Sequence, residues 1–307
     1  MYKITIIIPH KNVPSLLQRC IDSIPNRDDI KIVIVDDNSD RNSVDFDNFP
    51  GKGRKNVFHV FSKEDLGGGG ARNVGLRHAE GEWILFADSD DFFNKGLSDF
   101  IDEYTRSDAD LIVFDTNSVL SDTLAPVENR ENIVSMFKER YDENILRYCH
   151  HTVWGKMFRH EMIRKHKIQF QEVAASNDAF FAACAGVFAE KVKFCPDAVY
   201  CCTVRRGSIC TRLTLDIVEA RIFVVETVNR FLKENGISTK YWMNRLGPLF
   251  NLKGLSKRKF IAAFVMYFWQ TPLSRVFFDY KESGRRFLGR LKGNVNDGDI
   301  KKMQVEL

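Results

Sequence analysis

Short β-branched runs alternate with segments of helical periodicity over the first 114 residues, and this alternation constrains the fold more than any other feature. The predicted strands are residues 4–8, 32–35, 57–61, 83–87 and 111–114, and the predicted helices are residues 15–24, 70–79 and 96–104. The run 32–35 is continuously apolar, as in a parallel strand that is covered on both faces. The order predicts an α/β domain with a mostly parallel central sheet flanked by helices, and with ligands at the carboxyl ends of its strands.

The pattern changes beyond residue 116. Residues 117–130 are predicted as a polar loop, 131–148, 176–189 and 214–234 as helices, 152–158 as a short aromatic segment and 198–204 as a strand. We expect the first half of a domain at 1–120, a second part of the same domain at 121–235, and a basic, aromatic helical C-terminal extension at 236–307.

The chain of 307 residues has 44% hydrophobic and 28% charged residues, which is a globular composition. Its seven cysteines are irregularly spaced and include no CxxC pair, so the sequence supports neither a disulfide framework nor a zinc site. The apolar stretch near the N-terminus is too short for a signal peptide. A cytoplasmic location, with an optional peripheral position on the inner face of the membrane, is therefore expected.

The net charge of +4 is unevenly distributed. Residues 240–307 carry 14 Lys/Arg and 5 Asp/Glu, whereas the preceding residues carry 31 and 36. The tail also contains an apolar run, residues 260–269, that is too short to span a membrane. Two interpretations stay open: a helix packed on the catalytic body, or an interfacial helix that contacts a membrane through its aromatic residues, Phe260, Phe264, Tyr267, Phe268 and Trp269. Nucleic-acid binding is not expected, because the aromatic residues do not interleave with basic ones.

Four polar clusters are predicted at strand ends or helix starts. The first two, Pro9-His10-Lys11-Asn12 and the segment 35–40 around Asp37, are also ordinary turn sequences. The third is the glycine-rich segment 67–75 with Arg72, whose helix start offers N–H groups to phosphate but lacks a Walker pattern. The fourth, 86–93, has carboxylates at Asp88, Asp90 and Asp91. Such crowding persists mainly where a divalent cation or a cationic ligand compensates it.

In this order and spacing, the motifs IIIPHKN (6–12), VDDNSD (35–40), GGGGARNVGL (67–76) and FADSDDFF (86–93) resemble the family 2 glycosyltransferases of the GT-A fold. The resemblance continues more faintly through VWGKMFR (153–159), SNDAFF (176–181) and YCCTVRRGSIC (200–210), and it stops before the tail. It implies a Rossmann-like GT-A domain that transfers a sugar, with inversion, from a nucleoside-diphosphate sugar to an acceptor hydroxyl. UDP is the expected nucleotide, and a glycan or a lipid-linked molecule is the expected acceptor.

The resemblance also implies that residues 1–120 form the nucleotide-sugar-binding half and residues 121–235 the acceptor-binding part of the same catalytic domain, and it implies roles for individual residues. Asp37, with Pro9 and Lys11, would contact the nucleotide base, and Arg72, Asp88 and Ser89 would contact the rest of the nucleotide sugar. Asp90 would bind Mn²⁺ or Mg²⁺, and Asp178 would be the catalytic base. Further acceptor or phosphate contacts are expected from five residues: Asp91, Lys156, Asn177, Arg205 and Arg206. The sequence departs from the family pattern at His10, where Tyr is common, and at Asn177, where an acid is common.

Two other functions stay open at this stage. A non-catalytic glycan- or membrane-binding scaffold could retain the fold, although the intact carboxylates at Asp37, Asp88, Asp90 and Asp178 argue against it. A phosphotransferase could use an Asp-x-Asp motif, but such enzymes carry it on the first strand, and here it follows a later one.

Overall fold

A computed structural model describes residues 1–127, 133–205, 213–273 and 275–281, without the side chains of residues 133 and 270. The chain divides into two compact units, Met1–Arg205 and Arg206–Leu307. This division falls at residue 205, whereas the sequence interpretation placed its boundaries at 120 and 235. The assignment of nucleotide and acceptor parts to those ranges stays a prediction.

The described part of the first unit contains an eight-stranded sheet with strand order β3-β2-β1-β4-β7-β6-β8-β5. Its strands are β1 Ile4–His10, β2 Ile30–Asp37, β3 Val57–Ser62, β4 Trp83–Phe86, β5 Phe92–Phe93, β6 Leu111–Leu120, β7 Lys156–Arg159 and β8 Val192–Val204. The helices beside them are α1 Pro14–Asp22, α2 Gly67–Arg77, α3 Leu97–Tyr104, α4 Ile133–Arg140, α5 Glu143–Tyr148, α6 His160–Lys165 and α7 Asp178–Phe188.

The predicted α/β sheet flanked by helices is confirmed, and the sheet itself is mixed. β1, β2, β3 and β4 pair in parallel, and β6 is parallel to β8. β7 is antiparallel to both β4 and β6, and β5 is antiparallel to β8. All residues of β2 and β4 are buried, because these apolar strands are covered on both faces.

Several element boundaries differ from the sequence prediction. β6 continues to Leu120 through a segment predicted as loop, because its polar residues pair with β8 in the register Asn117↔Cys201 and Ser118↔Cys202. β8 likewise starts at Val192 and not at residue 198. The single helix predicted over residues 131–148 is two helices, since Tyr141 has a positive φ of 50° and the Asp142 side chain caps α5.

The described part of the second unit is helical. It comprises α8 Leu215–Glu234, a short 3₁₀ turn at Thr239–Tyr241, α9 Leu246–Leu255 and α10 Lys257–Gln270, and residues 275–281 are also helical. Leu246 and Leu249 of α9 form a small apolar core with Tyr267 of α10. Among the described residues, the helices are all too short or too polar to cross a bilayer.

Candidate active site

Three carboxylates meet where β4 ends. Oxygen atoms of Asp88, Asp90 and Asp91 all lie within 4.8 Å of one another. The side chains of Asp88 and Asp90 are partly exposed, whereas Asp91 is buried. Hard carboxylate oxygens at this separation are the ligands that Mg²⁺ and Mn²⁺ prefer, so this acidic cluster is a candidate cation site.

β8 holds the acidic cluster through hydrogen bonds to Asp91. The Tyr200 hydroxyl donates to Asp91 Oδ2 at 2.8 Å, and the Thr203 amide donates to Asp91 Oδ1 at 2.6 Å. The same hydroxyl accepts the amide N–H of Asp88 at 3.0 Å. Burial, together with the negative charges of Asp88 and Asp90, raises the pKa of Asp91 to about 8. Asp91 is thus an internal support of the cluster in this structure, with both carboxylate oxygens bonded to β8, and its predicted contact with acceptor or phosphate stays a prediction.

Two arginines contact Asp90 from different elements. Arg19 of α1 donates to the backbone oxygen of Asp90 at 2.6 Å and to that of Ser121 at 2.8 Å. Arg205, at the end of β8, donates its Nε to Asp90 Oδ2 at 2.7 Å. The first contact fixes the loop backbone, and the second places a positive charge on the candidate cation ligand. Arg206, the neighbouring residue predicted to contact phosphate or acceptor, lies outside the described residues.

Arg72 links the acidic cluster to the start of α7. Its guanidinium donates to Asp88 Oδ1 and, at 2.9 Å, to Asn177 Oδ1. Arg72 is buried and lies over the Phe170 ring, 5.5 Å from the ring centroid. Arg72, which was predicted to contact the nucleotide sugar, therefore forms an ion pair with Asp88 in this structure. It also joins the acidic cluster to the start of α7.

Asp178 is the first residue of α7, where the positive end of the helix dipole favours a carboxylate. Burial raises the pKa of Asp178 above its usual value, the charge of Arg72 counteracts that shift, and Asp88 adds to it. The predicted base Asp178 therefore interacts electrostatically with Asp88, the predicted acid on the donor side. Arg72 bridges Asp88 and Asn177, the residue before Asp178.

Asp37 lies at the carboxyl end of β2 and is buried. Its two carboxylate oxygens accept the amide N–H groups of Leu66 at 2.6 Å and Gly67 at 3.1 Å. Lys11 Nζ lies 3.8 Å from Asp37 Oδ2 and also contacts Asp65. Pro9 lies in the adjacent strand β1, two residues before Lys11. The three residues predicted to line a base pocket are therefore neighbours, since β1 and β2 are parallel and end side by side.

His10 stands where the resemblance leads one to expect Tyr, and it has a structural role. Its Nε2 accepts the Val13 amide at 3.1 Å, so its Nδ1 carries the proton donated to Asp36 Oδ2 at 2.8 Å. Ser39 also binds the Asp36 carboxylate, with its hydroxyl at 2.6 Å. This buried network fixes the turns that follow β1 and β2.

The glycine-rich segment opens α2, but the N–H groups of Leu66 and Gly67 at this helix start bind the Asp37 carboxylate and not an open anion site. The glycines serve close packing instead. A Cβ at Gly69 would lie 2.2 Å from the backbone oxygen of Gln171, and one at Gly75 would lie 2.3 Å from Ile7 Cγ2. Larger residues would push α2 away from β1 and from the segment before α7.

Lys156 differs most from its predicted role. It is 1% exposed, and its ammonium group donates to the backbone oxygens of His150 and Thr152. This arrangement directs Lys156 into the protein, so we do not retain it as a ligand contact. Ser89, which lies between Asp88 and Asp90 in the sequence, is also largely buried.

Tyr200 and Arg19 are the site residues that sequence reasoning missed. Tyr200 lies beside Val and Cys residues in the second half of β8, a pattern that predicts a core residue and does not indicate a role for its hydroxyl. Arg19 lies on an amphipathic helix and looks like an ordinary surface charge. Neither pattern indicates that the residue reaches the acidic cluster, because both contacts join segments more than 70 residues apart.

Comparison with known proteins identifies the family of this chain. The family model for glycosyl transferase family 2 matches residues 5–168. A putative glycosyltransferase of Bacillus subtilis, EpsH, is 26% identical over 248 residues, covering 78% of this chain and 71% of that protein. The poly(ribitol-phosphate) β-N-acetylglucosaminyltransferase TarS of Staphylococcus aureus is 30% identical over 252 residues, covering 76% of this chain but 42% of its own length.

Solved structures show the same fold. S. aureus TarS 1–349 in complex with UDP-GlcNAc superimposes with a TM-score of 0.58 at 23% identity, covering 83% of this chain and 82% of that one. The mannosyltransferase PcManGT of Pyrobaculum calidifontis, in complex with GDP-Man and Mn²⁺, gives a TM-score of 0.55 at 16% identity, covering 94% and 81%. With its GT-A fold and a family match over more than half its length, this chain belongs to glycosyl transferase family 2.

Proposed function

We propose that this protein is an inverting glycosyltransferase that moves a sugar from a UDP-sugar to an acceptor hydroxyl. The observation that carries the proposal is the link through Arg72. It joins Asp88 of the acidic cluster to Asn177, the residue before the candidate base Asp178. Such a transfer requires an acidic cluster on the donor side and a carboxylate on the acceptor side, and the buried Arg72 guanidinium connects the two.

On the donor side, Asp37, Lys11 and Pro9 would contact the base, and Asp88 and Ser89 the sugar nucleotide. Asp37 already accepts two amide N–H groups, but each carboxylate oxygen has a second lone pair that a base N–H can use. Arg72 would act on the nucleotide sugar mainly by orienting Asp88.

The acidic cluster fits a divalent ion, Mn²⁺ or Mg²⁺, because it offers hard oxygen donors from Asp90 and Asp88 at a partly exposed position. When bound, the ion would neutralise charge that develops on the departing diphosphate. Asp91 would support these ligands from the interior, where its carboxylate accepts a hydrogen bond from the Tyr200 hydroxyl.

On the acceptor side, Asp178 would accept the proton of the attacking hydroxyl. The acceptor oxygen forms its bond to the anomeric carbon as the bond from that carbon to the diphosphate oxygen breaks, and the diphosphate leaves with the electron pair. Attack from the face opposite the leaving group inverts the anomeric configuration. Asn177 would orient the acceptor or hold Arg72 in place.

Arg205 would serve the diphosphate. It pairs with Asp90 in this structure, with its side chain 37% exposed, so a cation at Asp90 would free its guanidinium for a phosphate oxygen. We extend the same proposal to Arg206 from the sequence alone.

The relatives support the substrate class. TarS is named as a transferase of N-acetylglucosamine to poly(ribitol-phosphate), and its structure holds UDP-GlcNAc. We therefore propose a UDP-sugar donor and a glycan or lipid-linked acceptor of a cell-surface polymer. The proposed place of action is the cytoplasmic side of the membrane.

A turnover assay tests this proposal. The purified protein is incubated with single nucleotide sugars, among them UDP-GlcNAc, UDP-glucose, UDP-galactose and GDP-mannose, with Mn²⁺, Mg²⁺ or EDTA, and the release of nucleotide by slow transfer of the sugar to water is measured. We expect metal-dependent release from a UDP-sugar, reduced at least about 100-fold in Asp90→Asn. Asp99→Asn is the matched control, because Asp99 is an exposed acid in the first turn of α3. Absence of release from every nucleotide sugar would favour the non-catalytic scaffold.

A further inference from the structure

The second unit exposes a row of large apolar side chains on α10 and just beyond it. Ile261, Val265 and Trp269 are 62%, 54% and 88% exposed, and Phe268 is 45% exposed. Their spacing of three and four residues places them on one side of the helix. Beyond α10, Leu273, Phe277 and Tyr280 are also more than 70% exposed. We call Ile261, Val265, Phe268 and Trp269 the exposed face of α10.

The opposite side of α10 is already occupied. Tyr267 is 3% exposed and packs in one apolar cluster with Leu246, Leu249 and Phe264. Of the aromatic residues that the interfacial interpretation included, Tyr267 is therefore packed inside the unit and Phe264 is partly buried, whereas Phe268 and Trp269 are exposed. The inward residues stabilise the unit, so the exposed face is not needed for its core.

The charges within residues 240–281, which contain this face, are predominantly positive. Residues 240–281 include eight Lys/Arg and a single acid, Asp279. Asp279 is fully buried, where it pairs with Arg275 at 2.7 Å and accepts a hydrogen bond from Tyr267 at 3.0 Å. Residues 240–281 therefore expose no carboxylate. Lys257 and Arg258, by contrast, are exposed in the first turn of α10.

We propose that the exposed face of α10 binds the surface of an anionic phospholipid bilayer, with the helix lying in the interface. An apolar face with an exposed Trp and nearby Lys and Arg is typical of interfacial helices. α10 has 14 residues, fewer than the roughly 20 that a span requires. A second copy of this chain fits less well, because a two-fold contact would bring the same basic residues together.

This proposal adds a lipid class and a binding surface to the place of action proposed above. It does not depend on the donor chemistry. The two can therefore fail separately, since vesicle binding is measured without nucleotide and UDP-sugar turnover is measured without vesicles.

The test is co-sedimentation of the full chain with vesicles of phosphatidylcholine alone or mixed with phosphatidylglycerol. We expect binding to the mixed vesicles, weakened as salt rises from about 0.1 M to about 1 M. The double variant Val265→Glu/Trp269→Glu should bind at least about tenfold more weakly. The matched control is Leu124→Glu/Tyr141→Glu, which adds the same charge at two exposed apolar residues of the first unit. Thermal unfolding verifies that all variants are folded.

A third variant, Lys253→Gln/Lys257→Gln/Arg258→Gln, separates charge from apolar contact. It should lose the preference for phosphatidylglycerol and keep its oligomeric state. Lys259 is left unchanged because it pairs with Glu219. Equal binding to both vesicle types, equal loss in the control, or no binding by the unmodified chain would overturn the proposal. So would dimers in gel filtration that only Val265→Glu/Trp269→Glu dissociates, since the face would then bind a second copy.

Discussion

Tyr200 donates its hydroxyl hydrogen to Asp91 Oδ2 at 2.8 Å inside the protein, and this bond connects β8 to the acidic cluster at the end of β4. The same oxygen accepts the Asp88 amide at 3.0 Å. One buried hydroxyl thus positions the loop that carries all three carboxylates. Its removal tests whether the cluster depends on β8.

Tyr200→Phe should destabilise the protein by about 1–3 kcal/mol, because it removes the hydroxyl that bonds the partly buried Asp88 amide and the buried Asp91 carboxyl oxygen. Urea unfolding measures the change. Tyr141→Phe is the control, since Tyr141 is 84% exposed. Equal stability of the two variants would show that the Tyr200 hydroxyl does not support the loop.

Asp91 should make the stability of the metal-free protein depend on pH. Its pKa is about 8 in the folded state and near 3.8 when exposed, so between these values the folded state holds a proton that the unfolded state releases. The free energy of unfolding should therefore fall as pH rises from about 4 to about 8. Urea titrations in EDTA should show this slope in the unmodified chain and a flatter one in Asp91→Asn. An identical slope in both would contradict the raised pKa.

Asp178→Asn should lower kcat by about 10²–10⁴-fold, because general-base catalysis contributes that order. It should not lower stability, since burial raises the pKa of Asp178 and makes its charge costly at neutral pH. UDP affinity should persist. Asp216→Asn is the control, because Asp216 is an exposed acid in the first turn of α8. Full turnover in Asp178→Asn would remove it from the mechanism.

Arg72→Met should move the acidic limb of the pH profile of kcat to higher pH. The base works when deprotonated, Arg72 lowers the pKa of Asp178, and loss of its charge lets that pKa rise. Arg72→Lys keeps the charge and loses the two-pronged contact with Asp88 and Asn177. Arg72→Lys should therefore leave the acidic limb of the kcat profile at the same pH and raise the KM for the UDP-sugar. A limb unmoved in Arg72→Met would show that Arg72 does not tune the base.

Much of the fold could be predicted because its strands are short and locally encoded. Residues 32–35 of β2 and all of β4 are continuous apolar runs, and runs of this kind mark buried strands. The second half of β6 could not be found this way. Its residues Asp115, Thr116, Asn117 and Ser118 have loop composition, and only their pairing with β8 makes them a strand.

The candidate site shows the same division. The acidic cluster could be predicted because its three carboxylates lie within four residues of sequence. The roles of Lys156 and Tyr200 could not, because a sequence pattern does not tell whether a polar side chain faces solvent or the interior. Burial turns Lys156 inward to backbone oxygens, and long-range contact turns the Tyr200 hydroxyl toward Asp91.

Calorimetric titration of UDP into the protein tests the central claim most directly, which is that the acidic cluster binds a divalent ion together with a nucleoside diphosphate. We expect Mn²⁺ to strengthen UDP binding at least about tenfold over EDTA in the unmodified chain, and we expect this gain to disappear in Asp90→Asn and to persist in Asp99→Asn. Equal UDP affinity with Mn²⁺ and with EDTA in the unmodified chain would contradict it.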